Sequence, residues 1–407
     1  MLRLCAQAEN VKRLLSAVLT AVLLVSMLGL FACGNDEKPP VTETTDPVTT
    51  AAPVTTEVPV TTVAPPTTAA PATTAVPETT APPETQPVEV VMPYVNPLTG
   101  LPSAVDLSEK RPVAIMLNNL KVANPQIGIA RADILYECLV EGGITRLMGV
   151  FSDYTGIESI GSVRSARDYY LDFAQNHDAI YICAGGSPQA YDELYARGID
   201  FICGVNMYTP STFHLDQNRV ATMGSVHSLM TSGKGLTSGI SYKKYRTTIK
   251  DGYTTPFLFD VESCSSNGGS EATHLILNYS AAQIVQMIYS ANTNTYYRFQ
   301  FGTAAHMDGE TNEQLNFTNV LIMYATVNAI PGDTSGRLDV GTVGTGEGYY
   351  VSGGRSVPIK WEKTDGDAVI RLTTEDGKPL VMAPGKTFVS VLPTTAKATT
   401  QLNYRQS

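Results

Sequence analysis

Residues 38–92 are the part of the chain that most limits how it can fold. Thr, Pro, Ala and Val dominate this segment, and it contains no aromatic residue. Proline fixes φ and lacks a backbone N–H donor, so neither a helix nor a sheet extends through it. The segment also offers too little bulky apolar surface to offset the entropy lost on ordering. We therefore predict a disordered linker over residues 33–95. The contour of its Pro-rich part, residues 38–92, approaches roughly 170 Å in polyproline II form.

An apolar run, Leu14–Ala32, comes before the linker and ends at Cys33. It follows three basic residues, Arg3, Lys12 and Arg13. A basic start, an apolar stretch and a small last residue are typical of an export signal. We therefore predict a signal peptide over residues 1–32. The alternative is an uncleaved helix, because eighteen or more apolar residues can span a bilayer.

The end of this run, Leu30-Phe-Ala-Cys33, resembles the lipobox of bacterial lipoprotein signals. The resemblance implies cleavage after Ala32 and an acyl anchor, such as palmitate, on Cys33. Two or three acyl chains hold a protein durably at a membrane. We expect a lipid-anchored protein on the extracytoplasmic face of the cell membrane. The long linker suits a thick cell wall, which is a Gram-positive feature.

The overall charge narrows the choice of partners. The formal net charge is −10, whereas non-specific binding to nucleic acid relies on clustered Lys and Arg. We therefore expect no nucleic-acid partner, although local basic pockets are compatible with this charge. No cofactor-binding pattern is present, and we predict no cofactor.

Four cysteines remain after Cys5 in the signal and Cys33 at the anchor. They are Cys138, Cys183, Cys203 and Cys264. None forms a Cys-x-x-Cys pair, so we predict no metal site. A disulfide such as Cys183–Cys203 is compatible with an oxidising compartment, but the sequence leaves the pairing open.

The remainder of the chain is long enough for two globular domains. We predict an N-terminal α/β domain over residues 96–245 and a β-rich domain over residues 255–393. The overall class is α+β or α/β. Evidence for the first domain is four strands, two of which flank a Gly-Gly turn, and two helices, one of which starts at a Ser187 cap. These strands cover residues 112–117, 134–140, 144–151 and 179–184, and the helices cover residues 166–176 and 188–197.

Several strings along this part of the chain resemble the YerB-like lipoprotein family. They include Asn96-Pro-Leu-Thr-Gly-Leu-Pro102, Arg111-Pro-Val-Ala-Ile-Met-Leu-Asn-Asn119, Gly161-Ser-Val-Arg-Ser-Ala-Arg167, Gly185-Gly-Ser-Pro-Gln-Ala190, Val343-Gly-Thr-Gly346 and Pro384-Gly-Lys-Thr387. The resemblance covers residues 96–393. It implies separate N- and C-terminal domains and a lipoprotein location, but no reaction.

The string from Gly161 to Arg167 is the best candidate site. If it opens a helix, free backbone N–H groups lie beside Arg164 and Arg167, with Ser165 as the cap. This combination binds carboxylates or phosphates. The alternative is that the two arginines form structural pairs with Glu137 or Glu141.

Further polar residues lie at strand ends and turns in the same domain. Asn118, Asn119 and Arg146 are candidate ligand-binding residues beside the arginines. Glu137 and Glu141, four apart on one strand, share a face and are candidate acid/base residues. His227 is a candidate partner in catalysis. The alternative for the two glutamates is hydrogen bonding to turns or to Arg164 and Arg167. The alternative for His227 is a structural or surface histidine, since no nucleophile-elbow motif is present.

Two function classes follow. The favoured one is a non-enzymatic envelope protein that binds a cell-wall polymer or assists a wall-building membrane protein. The alternative is a hydrolase or transferase that acts on an envelope polymer. The sequence does not decide whether the protein is an enzyme.

Overall fold

The structure is a computed structural model, and it describes residues 92–205 and 211–405. The predictions for the signal peptide, for Cys33 and for most of the linker lie outside the described residues. All described residues belong to one compact unit. None of the helices in this part of the chain has the length and apolarity needed to cross a bilayer.

The described residues form four α-helices. They are α1 (Asp168–Gln175), α2 (Pro188–Ala196), α3 (Gln217–Met223) and α4 (Gly233–Lys243).

Ten strands lie in the first half of the described chain. They are β1 (Tyr94–Val95), β2 (Pro102–Ser103), β3 (Val113–Leu117), β4 (Ile134–Leu139), β5 (Thr145–Phe151), β6 (Ile160–Gly161), β7 (Ile180–Cys183), β8 (Phe201–Cys203), β9 (Phe213–Leu215) and β10 (Leu229–Thr231).

Fifteen further strands follow. They are β11 (Leu258–Phe259), β12 (Ser270–Glu271), β13 (His274–Asn278), β14 (Ile284–Ser290), β15 (Thr295–Gln300), β16 (Ala304–Ala305), β17 (Asn316–Phe317), β18 (Asn319–Ala325), β19 (Val327–Ala329), β20 (Leu338–Val340), β21 (Gly344–Ser352), β22 (Arg355–Lys363), β23 (Arg371–Thr374), β24 (Val381–Met382) and β25 (Thr387–Pro393). The prediction of a mixed α/β first segment and a mostly β second segment is confirmed.

One eleven-stranded sheet runs through both segments. Its order is β12-β22-β21-β18-β25-β4-β5-β3-β7-β8, with β23 paired to β22. The junction between the segments is a parallel pair, β25 with β4, in which Thr387 lies opposite Ile134 and Val391 opposite Cys138. Residues 96–245 and 255–393 therefore share a sheet, and their division into two domains with these bounds remains a prediction.

The central strands are covered on both faces. Every residue of β3 and β4 is buried, as the continuous apolar run of β3 predicts for a doubly covered strand. Tyr136 and Cys138 pack into one core cluster with residues of α1 and α2. Leu135 and Leu139 pack into a second cluster with residues of α4 and of the five-stranded sheet that contains β13, β14 and β15.

The predicted Gly-Gly hairpin is present between β4 and β5. Val140 donates its backbone N–H to the Ile144 carbonyl at 2.8 Å. Gly142 and Gly143 have φ values of 71° and 70°, a region that glycine enters without the steric cost of a Cβ atom. The two glycines therefore set the turn that brings Thr145 and Arg146 back alongside β4.

The two predicted helices of the first segment are present. Ser187 caps α2, because its side chain accepts the Ala190 N–H and Pro188 occupies the first helical position. The other helix, α1, begins at Asp168 and not within the 161–167 string. Arg167 is the residue before it, and no side chain caps this end.

Candidate functional site

The candidate site lies at one edge of the main sheet. Strands β3, β7 and β8 are mutually parallel, so their carboxyl ends meet there. Strand β5 is antiparallel to β3, so its first residues, Thr145 and Arg146, lie at the same edge. In open α/β sheets, ligands bind beyond the carboxyl ends of the parallel strands.

Three arginines, which we call the arginine cluster, lie at this edge: Arg146, Arg164 and Arg167. Arg146 is nearly buried and donates from Nη1 to the Ser165 carbonyl at 2.7 Å. Arg164 is partly exposed and donates from Nη1 to the Val226 carbonyl at 3.1 Å. Arg167 forms a two-pronged ion pair with Glu141, with Nε–Oε1 and Nη2–Oε2 distances of 2.5 and 2.7 Å.

The charges of this cluster are unbalanced. Burial, followed by repulsion from Arg167 and Arg164, lowers the pKa of Arg146 to about 10. Burial and the charge of Arg167 also lower the pKa of Arg164. Three guanidinium groups thus lie close enough to repel one another, and Glu141 forms an ion pair with one of them, Arg167.

Glu141 is held ionised at this position. Burial raises the pKa of its carboxyl, but the hydrogen bond and charge of Arg167 and the charge of Arg146 together leave the pKa below its ordinary value. The alternative prediction, in which an arginine pairs with Glu141, is therefore confirmed for Arg167. Arg164 has no carboxylate within salt-bridge distance among the described residues.

His227 and Asn118 border the arginine cluster. Asn118 accepts the Leu120 N–H on Oδ1, which fixes its amide, and its Nδ2 lies 2.9 Å from His227 Nδ1. Because an amide nitrogen only donates, His227 Nδ1 is the acceptor and the proton is assigned to Nε2. Burial and the charges of Arg164 and Arg219 lower the pKa of His227, which favours the neutral ring.

Ser165 does not cap a helix, and that prediction is wrong. Its Oγ donates to the Ala184 carbonyl at 3.0 Å, while its own carbonyl accepts Arg146. Ser165 lies two residues before the Arg167 cap position, too early to reach the first helical N–H groups. Its role is to join the arginine cluster to the loop after β7.

Glu137 does not pair with the arginine cluster, and the alternative in which it pairs with Arg164 or Arg167 is wrong. It is fully buried and forms an ion pair at 2.5 Å with Arg298 from β15. It also accepts hydrogen bonds from Asn119, Thr145 and Gln283. Four donors therefore occupy its carboxylate, and Asn119 belongs to this buried group.

The expectation that Glu137 and Glu141 share a strand face is also wrong. Strand β4 ends at Leu139, and Glu141 begins a 3₁₀ turn. No hydrogen bond joins any two of Glu137, Glu141 and His227 in the described part of the chain. Their assignment as catalytic residues remains a prediction.

The buried group around Glu137 continues across the second segment. Arg298 also contacts His306, which lies 2.7 Å from Gln126 through its Nε2 atom. Burial and the charge of Arg298 hold the pKa of His306 well below its ordinary value. Sequence reasoning missed Arg298, Gln283 and Gln126, because nothing in a lone polar residue of a strand signals a buried partner far along the chain.

No group of three or more His, Cys, Asp or Glu side chains within residues 92–205 and 211–405 is arranged to hold a metal ion. The arrangement at the sheet edge offers cationic donors, which suit a carboxylate or a phosphate.

Comparisons with known proteins place the chain in a family. Residues 98–246 match the N-terminal domain of the family described as protein of unknown function (DUF3048). Residues 275–389 match the C-terminal domain of the same family. The chain therefore belongs to this two-domain family, and the resemblance seen in the sequence is confirmed.

A relative and a solved structure agree with this membership. The chain is similar to YerB of Bacillus subtilis (strain 168), a protein provisionally named as a lipoprotein. They are 29% identical over 300 residues, which cover 73% of this chain and 86% of YerB. The crystal structure of Bacillus subtilis YerB matches with a TM-score of 0.66 and 28% identity, over 76% of this chain and 99% of that chain.

Proposed function

We propose that the protein is a lipid-anchored envelope protein that binds an anionic wall component at the arginine cluster. The ligand offers a carboxylate or a phosphate group. The anchor is the acyl group on Cys33, and the linker lets the folded body work at a distance from the extracytoplasmic face of the membrane. The name of the Bacillus subtilis relative as a lipoprotein supports the anchor.

The observation that carries this proposal is the excess of positive charge at the sheet edge. Arg146, Arg164 and Arg167 lie together, and one carboxylate, that of Glu141, is paired with Arg167. Arg164 contributes a guanidinium whose described hydrogen bond goes to a backbone carbonyl, so it has donors left for a ligand. A bound anion relieves the mutual repulsion of the three groups and gains charge-assisted hydrogen bonds.

Retention on purified cell walls tests the proposal. The lipidated full chain in detergent is mixed with insoluble walls, and the protein that sediments with them is measured. The same assay is repeated with one of two soluble competitors, a glycerol-phosphate polymer or a peptidoglycan digest that carries free carboxylates. We expect Arg164→Ala to weaken retention at least about tenfold, since a hydrogen bond to a charged group contributes about 1.5–3 kcal/mol. The more effective competitor identifies the phosphate or the carboxylate.

The matched control is Arg355→Ala. Arg355 is exposed and, like Arg164, donates to a backbone carbonyl, that of Gly269. The Arg355→Ala variant should bind walls as the unmodified protein does. Equal retention of Arg164→Ala and the unmodified protein would contradict the proposal.

The alternative of a hydrolase or transferase has less support from the geometry. Glu141 is engaged by Arg167, and Glu137 is buried with four donors. A general acid or base needs a carboxyl or imidazole within reach of the substrate. Fragments released from walls by the unmodified protein, and absent with Glu141→Gln, would favour the enzyme.

A further inference from the structure

Two buried thiols lie side by side at the same sheet edge. Cys183 ends β7 and Cys203 ends β8, and the parallel register places them directly opposite each other. Both side chains belong to the same core cluster, as expected for paired positions on one face. Neighbouring strands lie about 4.7–4.9 Å apart, within the Cα separation of roughly 4.4–6.8 Å that a disulfide spans.

The surroundings of the two sulfur atoms differ. Cys203 Sγ accepts the Gly185 N–H at 3.2 Å, lies 3.5 Å from the Tyr191 hydroxyl and donates to the Val205 carbonyl at 3.1 Å. The Cys183 thiol, followed by the Tyr191 hydroxyl and the Gly185 N–H, lowers the pKa of Cys203 against the effect of burial. The same contact and burial raise the pKa of Cys183.

The different surroundings of the two sulfur atoms indicate separate chemical roles for Cys183 and Cys203. A thiolate, and not a thiol, attacks a disulfide. Cys203 therefore suits the attacking position, and Cys183 keeps its proton until a second step. Cys138 and Cys264 lack such an arrangement: Cys264 contacts the hydroxyls of Ser266 and Tyr350, and burial raises the pKa of Cys138.

We propose that Cys183 and Cys203 form a redox-active pair that a low-molecular-weight disulfide oxidises to an intramolecular disulfide. The Cys203 thiolate attacks one sulfur of the small disulfide, whose S–S bond breaks and releases a thiolate. That thiolate takes the Cys183 proton. Cys183 then attacks Cys203 Sγ and displaces the second small thiolate. The second thiolate takes from the solvent the proton that Cys203 released on ionising, so the pair loses two electrons and two protons and the small disulfide is reduced to two thiols.

The position of the pair makes this exchange accessible. Both cysteines are buried, but they lie at strand ends, beside the partly exposed Gly185 and Tyr191 and the exposed Val205. A local opening of the edge exposes them at a lower free-energy cost than global unfolding. Disulfides persist outside the cytoplasm, so the biological occurrence of the reaction rests on the proposed export and not on the arginine cluster.

Mass spectrometry of the full chain tests the proposal. The native protein is incubated with cystine, quenched with an alkylating reagent under denaturing conditions and digested with trypsin. Arg197 separates the two cysteines into different tryptic peptides, so the disulfide appears as a linked pair. We expect this link to form, whereas Cys138 and Cys264 should stay reduced during the incubation and be alkylated at the quench. We also expect the oxidised protein to melt on the order of 5 °C higher, because the link constrains the unfolded chain.

Two variants test the separate roles of the cysteines. With Cys183→Ser, Cys203 should stop at the mixed disulfide with cysteine. The matched control Cys264→Ser should form the 183–203 link as the unmodified protein does. Alkylation of both Cys183 and Cys203 in the cystine-treated unmodified protein would overturn the proposal, and so would a link of either one to Cys138 or Cys264.

Discussion

At the scale of single residues, the ion pair between Glu137 and Arg298 is the contact of the described chain that requires the greatest desolvation of charge. Both side chains are completely buried. Removing two charges from water costs several kcal/mol for each ion, which the pair recovers only with good geometry and further hydrogen bonds. Here Asn119, Thr145 and Gln283 supply those bonds to Glu137.

Removing one member of this pair should therefore be severe. We expect Arg298→Ala to lower the free energy of unfolding by about 3–5 kcal/mol, since it leaves a buried carboxylate unpaired. Urea unfolding of the full chain measures this, followed by the fluorescence of Trp361, the single tryptophan.

Two further variants serve as controls for that prediction. Arg371→Ala, which removes a surface pair with Glu362, should change the free energy of unfolding by less than about 1 kcal/mol. The double variant Glu137→Gln with Arg298→Met should recover most of the loss, because no unpaired charge remains. A loss below 1 kcal/mol for Arg298→Ala would show that the pair is not important for stability.

At the scale of elements, the sequence predicted helix α2 and its cap because the signal is local. Ser187 and Pro188 are adjacent residues whose chemistry directly sets a helix start. The β4–β5 hairpin was predictable for the same reason, since Gly142 and Gly143 lie between two apolar runs. The burial of Arg298 was not predictable in this way. Its strand buries Arg298 and Gln300 and leaves Tyr297 and Phe299 partly exposed, the reverse of what hydrophobicity suggests.

The candidate site shows the same limit. The 161–167 string identified Arg164 and Arg167 from local chemistry, and the structure places Arg146 beside them. The partner of Glu137 could not be predicted, because Arg298 lies 161 positions along the chain and only the folded sheet brings the two together. Local sequence therefore identified the arginines but not the buried group that separates Glu137 from them.

The cap of α2 gives a testable consequence. We expect Ser187→Ala to lower the free energy of unfolding by about 1 kcal/mol, because the Ala190 N–H loses its acceptor. Thermal and urea unfolding measure the loss. Ser335→Ala, in an exposed turn, should change stability by less than about 0.5 kcal/mol. Equal stability of the two variants would contradict the role of the cap.

At the scale of the whole molecule, the two family domains form one unit in this structure. Strand β25 of the second segment pairs with β4 of the first, and the group around Glu137 and Arg298 adds buried polar contacts across the same junction. The three arginines of the cluster and Glu141 all belong to the first segment, and Ser280 of the second segment donates to the Gly143 carbonyl in the turn that carries Glu141. We infer that the second segment stabilises this edge without contributing to the cluster.

The anion-binding proposal predicts a coupling at His227. Arg164 and Arg219 contribute to the lowered pKa of this residue. An anion bound beside Arg164 offsets that positive charge, so it should raise the pKa of His227. By linkage, protonation of His227 should strengthen anion binding by the same factor. Affinity for the anion should therefore rise as the pH falls through the pKa of His227.

The most direct test is the NMR titration of the His227 imidazole with and without inorganic phosphate, at ionic strength matched with chloride. We expect a higher pKa of His227 in phosphate for the unmodified protein and for Arg355→Ala, and a much smaller rise for Arg164→Ala. The same pKa of His227 in phosphate and in chloride would contradict an anion site at the arginine cluster.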